Sequence, residues 1–129
     1  MKSAEPCVAV VDDEPSVCTA LRRLLRLADY EVTVFASGDA FLASLDARRP
    51  DCVILDIHMA GLSGFDVQSR LKAAHVEVPV VFITASDDLA LDRAVVEAGG
   101  LRLLRKPFSN DELLDSVGAA LHAEPRDAP

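Results

Sequence analysis

Four places along this chain carry side chains that could act together on a phosphoryl group or a hard metal ion. They are Asp12-Asp13-Glu14, Asp56, Thr84 and Lys106-Pro107. Each ends or closely follows a short apolar run. Carboxylates crowded at one edge repel one another, and a divalent cation with oxygen ligands is the usual remedy. Magnesium suits such a site because it accepts a few protein oxygens, keeps waters and tolerates phosphate oxygens. A carboxylate held at a strand end, as Asp56 would be after Val53-Ile54-Leu55, can attack a phosphoryl group to give an acyl phosphate. That transfer needs in-line positioning and charge neutralisation more than further covalent chemistry. The ammonium of Lys106 would neutralise phosphoryl oxygens, and the Thr84 hydroxyl would hydrogen-bond one.

Taken singly, each residue has an ordinary reading. Acidic residues before a helix are favoured by its dipole, Asp56 could be a turn residue, Thr84 a strand end and Lys106 a surface charge. Jointly they follow one rule: in an open parallel sheet, reactive groups gather beyond the carboxyl ends of the strands.

The elements that would position them are legible as alternating runs. Cys7–Val11, Val32–Phe35, Cys52–Leu55, Val78–Ile83 and Leu101–Leu104 are short and nearly all apolar, as expected of strands buried on both faces. Between them lie helical periodicities. Val17, Ala20, Leu21, Leu24, Leu25 and Ala28 form one stripe, with Pro15 suited to its first turn. Ser37 is placed to cap a second helix, and Ser63 or Gly64 opens a third. A fourth is expected from Asp87 to Ala98, stopped by Gly99-Gly100. Ser109 and Glu112 form a capping box for the fifth. The fold class is α/β: a doubly wound, five-stranded parallel sheet with helices on both faces.

Composition narrows the class. The chain has 129 residues, enough for one domain with a substantial core. Its formal charge of −8 disfavours nonspecific binding to nucleic acid or anionic membrane. No apolar run reaches the roughly 18 residues of a membrane span, and Met1 to Pro6 lacks a secretory signal's apolar stretch. Cys7, Cys18 and Cys52 have no metal spacing; Cys7 and Cys52 lie in apolar runs and read as buried, reduced core residues. A cytoplasmic location follows as the expectation. The domain is placed at residues 6–121, and the Pro-rich residues 122–129 read as a polar tail or the start of a linker.

The segments Val10-Val11-Asp12-Asp13-Glu14-Pro15, Val53-Ile54-Leu55-Asp56-Ile57-His58-Met59, Phe82-Ile83-Thr84-Ala85 and Leu104-Arg105-Lys106-Pro107-Phe108 together closely resemble the receiver domains of two-component response regulators. The resemblance implies a flavodoxin-like (βα)5 fold with strand order 2-1-3-4-5. It implies that Asp56 is the phosphoacceptor for a sensor histidine kinase. Magnesium, for which manganese can substitute, would be held by Asp13, Asp56, the backbone carbonyl of His58 and, through water, Asp12. Thr84 and Lys106 would contact the phosphoryl group, with Lys106–Pro107 cis. Phosphorylation would switch the surface of the fourth helix, fifth strand and fifth helix, and could produce a dimer. Leu91, Val95, Leu101, Leu103 and Leu113 are the candidates for packing there. Such a domain is a regulator, at most catalysing its own phosphorylation and dephosphorylation.

Three positions depart from the family's pattern. Leu103 stands where the fifth strand usually carries a switch Tyr or Phe, and Ala60 follows Met59 in place of the common Pro. His58 and Ser86 occupy variable positions flanking the site, and His58 reads as a partly exposed loop residue outside the chemistry. One alternative from another class is an aspartyl-phosphate hydrolase of the haloacid dehalogenase type. It would need an acidic side chain where His58 stands. A flavodoxin-like electron carrier would need a Ser/Thr-rich phosphate loop where Asp12-Asp13-Glu14 stands. The output is read two ways. The segments around Asp56 and Lys106-Pro107-Phe108 look like those of transcription regulators with a helix-turn-helix output, whereas the length suits a stand-alone regulator acting through a partner protein. Nothing after Leu121 has the basic periodicity of a recognition helix, so this chain is not expected to bind DNA directly.

Overall fold

The computed structural model describes residues 5–122. The expected tail beyond His122, like the first four residues, lies outside them. Five strands and five helices alternate: β1 (Cys7–Val11), α1 (Pro15–Leu27), β2 (Glu31–Phe35), α2 (Gly38–Ser44), β3 (Cys52–Asp56), α3 (Gly64–Ala73), β4 (Val80–Thr84), α4 (Ala90–Glu97), β5 (Arg102–Arg105) and α5 (Asn110–Leu121). All pairings are parallel and the order is β2-β1-β3-β4-β5.

The three central strands explain their apolar composition: every residue of β1, β3 and β4 is buried. Period-two alternation splits them between two cores. Val8, Val10, Cys52, Ile54, Val81 and Ile83 pack with Leu21 and Leu25 of α1 and Leu113 and Val117 of α5. Ala9, Val11, Val53, Leu55, Val80 and Phe82 pack with Phe41 of α2, Val67 and Leu71 of α3 and Val95 of α4. The candidates for a common switch packing therefore divide. Leu91, Val95 and Leu103 belong to the second core, Leu101 and Leu113 to the first.

Local signals held at most helix starts. Ser37 Oγ accepts from Ala40 N–H, and Ser63 and Ser109 each form a capping box, with Asp66 and Glu112. Pro15 opens α1, and Gly99 follows α4 at φ +85°. Two boundaries differ for physical reasons. The expected strand start at Val78 fails because Pro79 has no N–H to donate to the ladder; its carbonyl accepts from Val53, and β4 begins at Val80. The expected helix start at Asp87 moves to Ala90. Ser86 Oγ accepts from Asp88 N–H and Asp88 Oδ1 from Ala90 N–H, so local side-chain bonds replace the first helical turn.

All three cysteines are free and buried, as the apolar setting of Cys7 and Cys52 implied, and burial pushes the Cys52 thiol up to about 12. Ser116 is wholly buried on α5, and its hydroxyl finds no partner among the described residues. An unsatisfied buried hydroxyl costs about 1–3 kcal/mol. Ser116→Ala is therefore expected to stabilise the fold by about 1 kcal/mol, seen as a higher urea midpoint at unchanged slope. A lower midpoint would show that the hydroxyl is engaged.

Candidate functional site

Parallel strands deliver their carboxyl ends to one edge, and there the separate sequence segments meet. Asp12, just past β1, is fully buried; its Oδ1 accepts from Glu14 N–H at 2.9 Å and its Oδ2 from Lys106 Nζ at 3.0 Å. Asp13 is exposed, and its Oδ2 accepts from Ala60 N–H at 3.1 Å. Asp56, the last residue of β3, is 4% exposed. Its Oδ1 takes a long hydrogen bond, 3.4 Å, from His58 N–H, and its Oδ2 lies 3.9 Å from Lys106 Nζ. One carboxylate oxygen from each of Asp12, Asp13 and Asp56 lies within 4.8 Å of the others. Hard oxygen donors gathered from the ends of β1 and β3, with the Lys106 ammonium beside them, fit a divalent cation of the magnesium class.

The electrostatics follow from that crowding. Burial, reinforced by the neighbouring Asp12 charge, pushes Asp56 up to about 6, although Lys106 and the His58 N–H pull it the other way. Burial works against the Lys106 ammonium, but its bonds to Glu14 and Asp12 outweigh that and hold it above its ordinary range. Its ion pairs run to Asp12 and Glu14, at 3.0 and 2.9 Å, and its side chain is only 16% exposed. A surface-charge reading of Lys106 is thereby excluded. Lys106–Pro107 is cis.

Thr84, at the end of β4, is fully buried; its Oγ1 accepts from Ser86 N–H at 3.1 Å and lies 3.2 Å from His58 Nδ1, in hydrogen-bond contact. The His58 side chain, expected as a loop residue with no part in the chemistry, is exposed after β3 with its ring touching Thr84. Glu14, grouped in the sequence with Asp12 and Asp13, accepts from the Lys106 ammonium 92 residues away. Arg105 carries no local signal in the sequence, because its partners lie on the loop after β4 and on α4. Leu103 is partly buried against the second core, beside Phe82 in the β4–β5 register.

The family model described as the response regulator receiver domain matches residues 8–118. The chain belongs to that family. Among curated relatives, this receiver domain is 32% identical over 126 residues to the response regulator protein TodT of Pseudomonas putida, a match covering 98% of this chain and 56% of TodT. It is 36% identical over 118 residues to nodulation protein W of Bradyrhizobium diazoefficiens, covering 92% and 52%. It is 37% identical over 114 residues to the transcriptional regulatory protein TdiR of Thauera aromatica, covering 88% and 50%. The receiver domain thus spans about half the length of the curated relatives it matches. Among solved structures, a response regulator receiver protein from Burkholderia phymatum superposes with TM-score 0.83 at 45% identity, covering 95% of this chain and 99% of that one. The chain is thus a receiver domain of two-component signalling, a regulatory domain. The haloacid dehalogenase alternative finds no support. No helix among the described residues is long and apolar enough to cross a membrane.

Proposed function

We propose that Asp56 accepts a phosphoryl group from a sensor histidine kinase, with magnesium held by Asp13, Asp56, the backbone carbonyl of His58 and, through water, Asp12. The observation that carries this reading is the convergence of Asp12, Asp13 and Asp56 within 4.8 Å, with Lys106 Nζ 3.9 Å from the Asp56 carboxylate. An Asp56 oxygen forms the bond to phosphorus while the bond from phosphorus to the donor nitrogen breaks. Asp56 must be ionised to attack; raised to about 6, it is mostly so at neutral pH. A bound magnesium or manganese ion supplies charge neutralisation for the carboxylates and the phosphoryl oxygens. Lys106 provides further positive charge on the same edge. Thr84 offers a hydroxyl at the same edge, in contact with His58 Nδ1, to donate to a phosphoryl oxygen.

The domain is placed at residues 6–121, in the cytoplasm, acting on an output domain or a partner protein rather than binding DNA itself. Several relatives are named as transcriptional regulators, which favours a transcriptional output. The switched surface comprises α4, β5 and α5, with Leu103 moving inward in place of an aromatic ring, and a phosphorylation-dependent dimer fits such a surface. The domain catalyses at most its own phosphorylation and dephosphorylation.

The test is intact-protein mass after incubation with a small-molecule phosphodonor. A single phosphoryl adduct is expected with magnesium, and its loss on chelation. Adduct formation unaffected by chelation would remove the metal from the reading.

Lys106→Met gives a second check. It leaves the buried Asp12 carboxylate without its cation, a loss of a few kcal/mol in the metal-free protein. Magnesium should still bind, and should raise Tm more in the variant than in the parent. A variant that no longer responds to magnesium would place Lys106 in the metal site itself.

A further inference from the structure

Arg105, the last residue of β5, holds one segment by four bonds. Its Nε donates to the Ser86 carbonyl at 3.1 Å and its Nη2 to the Asp88 carbonyl at 2.7 Å. Its Nη1 and Nη2 meet the two carboxylate oxygens of Asp92, each at 3.2 Å. These partners run from the loop after Thr84 into the first turn of α4. In that half of the helix Asp88 Oδ1 accepts from Ala90 N–H and Leu91 packs on the second core, and Arg105 adds the side-chain bonds that tie it to β5. Val95, the buried residue of α4, lies in its second half, and the N-cap Leu89 is exposed and provides no capping side chain.

Arg105 is also joined to the site. It pairs with Thr84 in the β4–β5 register, and the next residue, Lys106, donates its N–H to the Thr84 carbonyl at 2.8 Å. Ser86 is gripped from both sides: the Thr84 hydroxyl takes its N–H and Arg105 its carbonyl. Movement of the Thr84 hydroxyl toward Asp56 therefore either breaks the bond to Ser86 N–H or draws Ser86 away from the guanidinium.

We propose that Arg105 is a latch: it holds the Ser86–Asp92 segment, and through Ser86 the Thr84 hydroxyl, in the unphosphorylated arrangement. The inference rests on the phosphoacceptor reading of Asp56 and adds a positioning residue to it. A ligand shifts a two-state element only by its differential affinity for the two states. Bonds present in one state and lost in the other oppose the ligand, and removing them makes the switched state easier to reach. Because two of the bonds go to backbone carbonyls, the latch grips the path of the loop as well as one side chain.

The experiment is calorimetric titration of the chain with beryllofluoride in excess magnesium, a non-covalent phosphoryl mimic, for the parent and Arg105→Met, which keeps an apolar stem. The variant is expected to bind roughly three- to tenfold tighter, the range for one contact set biasing a two-state element. Its amides from Ser86 to Asp92 should exchange faster. Equal or weaker binding, with only a lower Tm, would overturn the latch and leave Arg105 a structural tie. Should Arg105→Met not fold, Asp92→Asn removes the charged pair while leaving both carbonyl bonds. A roughly twofold tightening is then expected, and no change overturns the proposal. A parent protein that does not bind beryllofluoride would defeat the phosphoacceptor reading, and the latch with it.

Discussion

Asp56→Asn is expected to abolish the phosphoryl adduct and, in the same variant, to stabilise the metal-free protein at neutral pH. The first effect follows from chemistry, since an amide has no ionised oxygen with which to attack phosphorus. The second follows from linkage. The folded-state value of Asp56 is raised to about 6 from 3.8, by burial first and by Asp12 second. An acid raised on folding contributes stability that is fully present below its unfolded value and lost as pH rises through its folded value. Between about pH 4 and 6 the unfolded chain therefore releases this proton before the folded one does, and stability falls. Above that window the charged Asp56 is held at a cost of the order of 2–3 kcal/mol, at 1.36 kcal/mol per pKa unit. Asparagine has the same shape without the charge. In chelator at pH 8 the variant should unfold roughly 8–10 °C higher than the parent, with the gain fading toward pH 4. A gain independent of pH would refute the electrostatic origin. A surviving stoichiometric adduct in the variant would refute Asp56 as the nucleophile.

Gly64→Ala is expected to damage fold and site together. Gly64 opens α3, and its N–H donates to the Ile57 carbonyl at 2.9 Å. A Cβ built there would stand 2.5 Å from the Asp56 carbonyl oxygen and 3.0 Å from Ile57 Cα. Both are backbone atoms at the end of a central strand, so neither can yield as the tip of a flexible side chain would. Either α3 backs away from β3 or the strand end carrying Asp56 shifts. Overpacking of this kind costs about 1–3 kcal/mol. A displacement approaching an ångström at a reacting carboxylate costs on the order of a hundredfold in rate. Denaturant unfolding and the rate of adduct formation measure the two effects. Gly118→Ala is the control: it makes the same chemical change on α5, where an added Cβ would meet nothing within 4 Å. It should stabilise by about 0.5–1 kcal/mol through helix propensity, with an unchanged phosphorylation rate. Equal phosphorylation rates in Gly64→Ala and the parent would show that the strand end does not feel this contact.

The sequence by itself determined the alternation of five strands and five helices, the residues at the strand ends and most helix starts. Those features rest on local physics. Buried parallel strands must be nearly all apolar, helices must show their period, and Ser63 and Ser109 cap the turns that follow them. The strand-end rule then made Asp12, Asp56, Thr84 and Lys106 readable as one group before any distance was known. What only the tertiary structure decided lies in competition between distant partners. Lys106 settles on Asp12 and Glu14, 94 and 92 residues away, rather than directly on Asp56. His58 reaches Thr84, and α4 starts three residues late because Ser86 and Asp88 make local bonds that Arg105 reinforces from β5. The five apolar residues expected to share one packing divide between the two faces of the sheet. Each of these outcomes depends on which donor meets which acceptor, and that is set by the register of neighbouring strands. Residue type and spacing state what a side chain can do; the neighbouring strand decides which of those things it does.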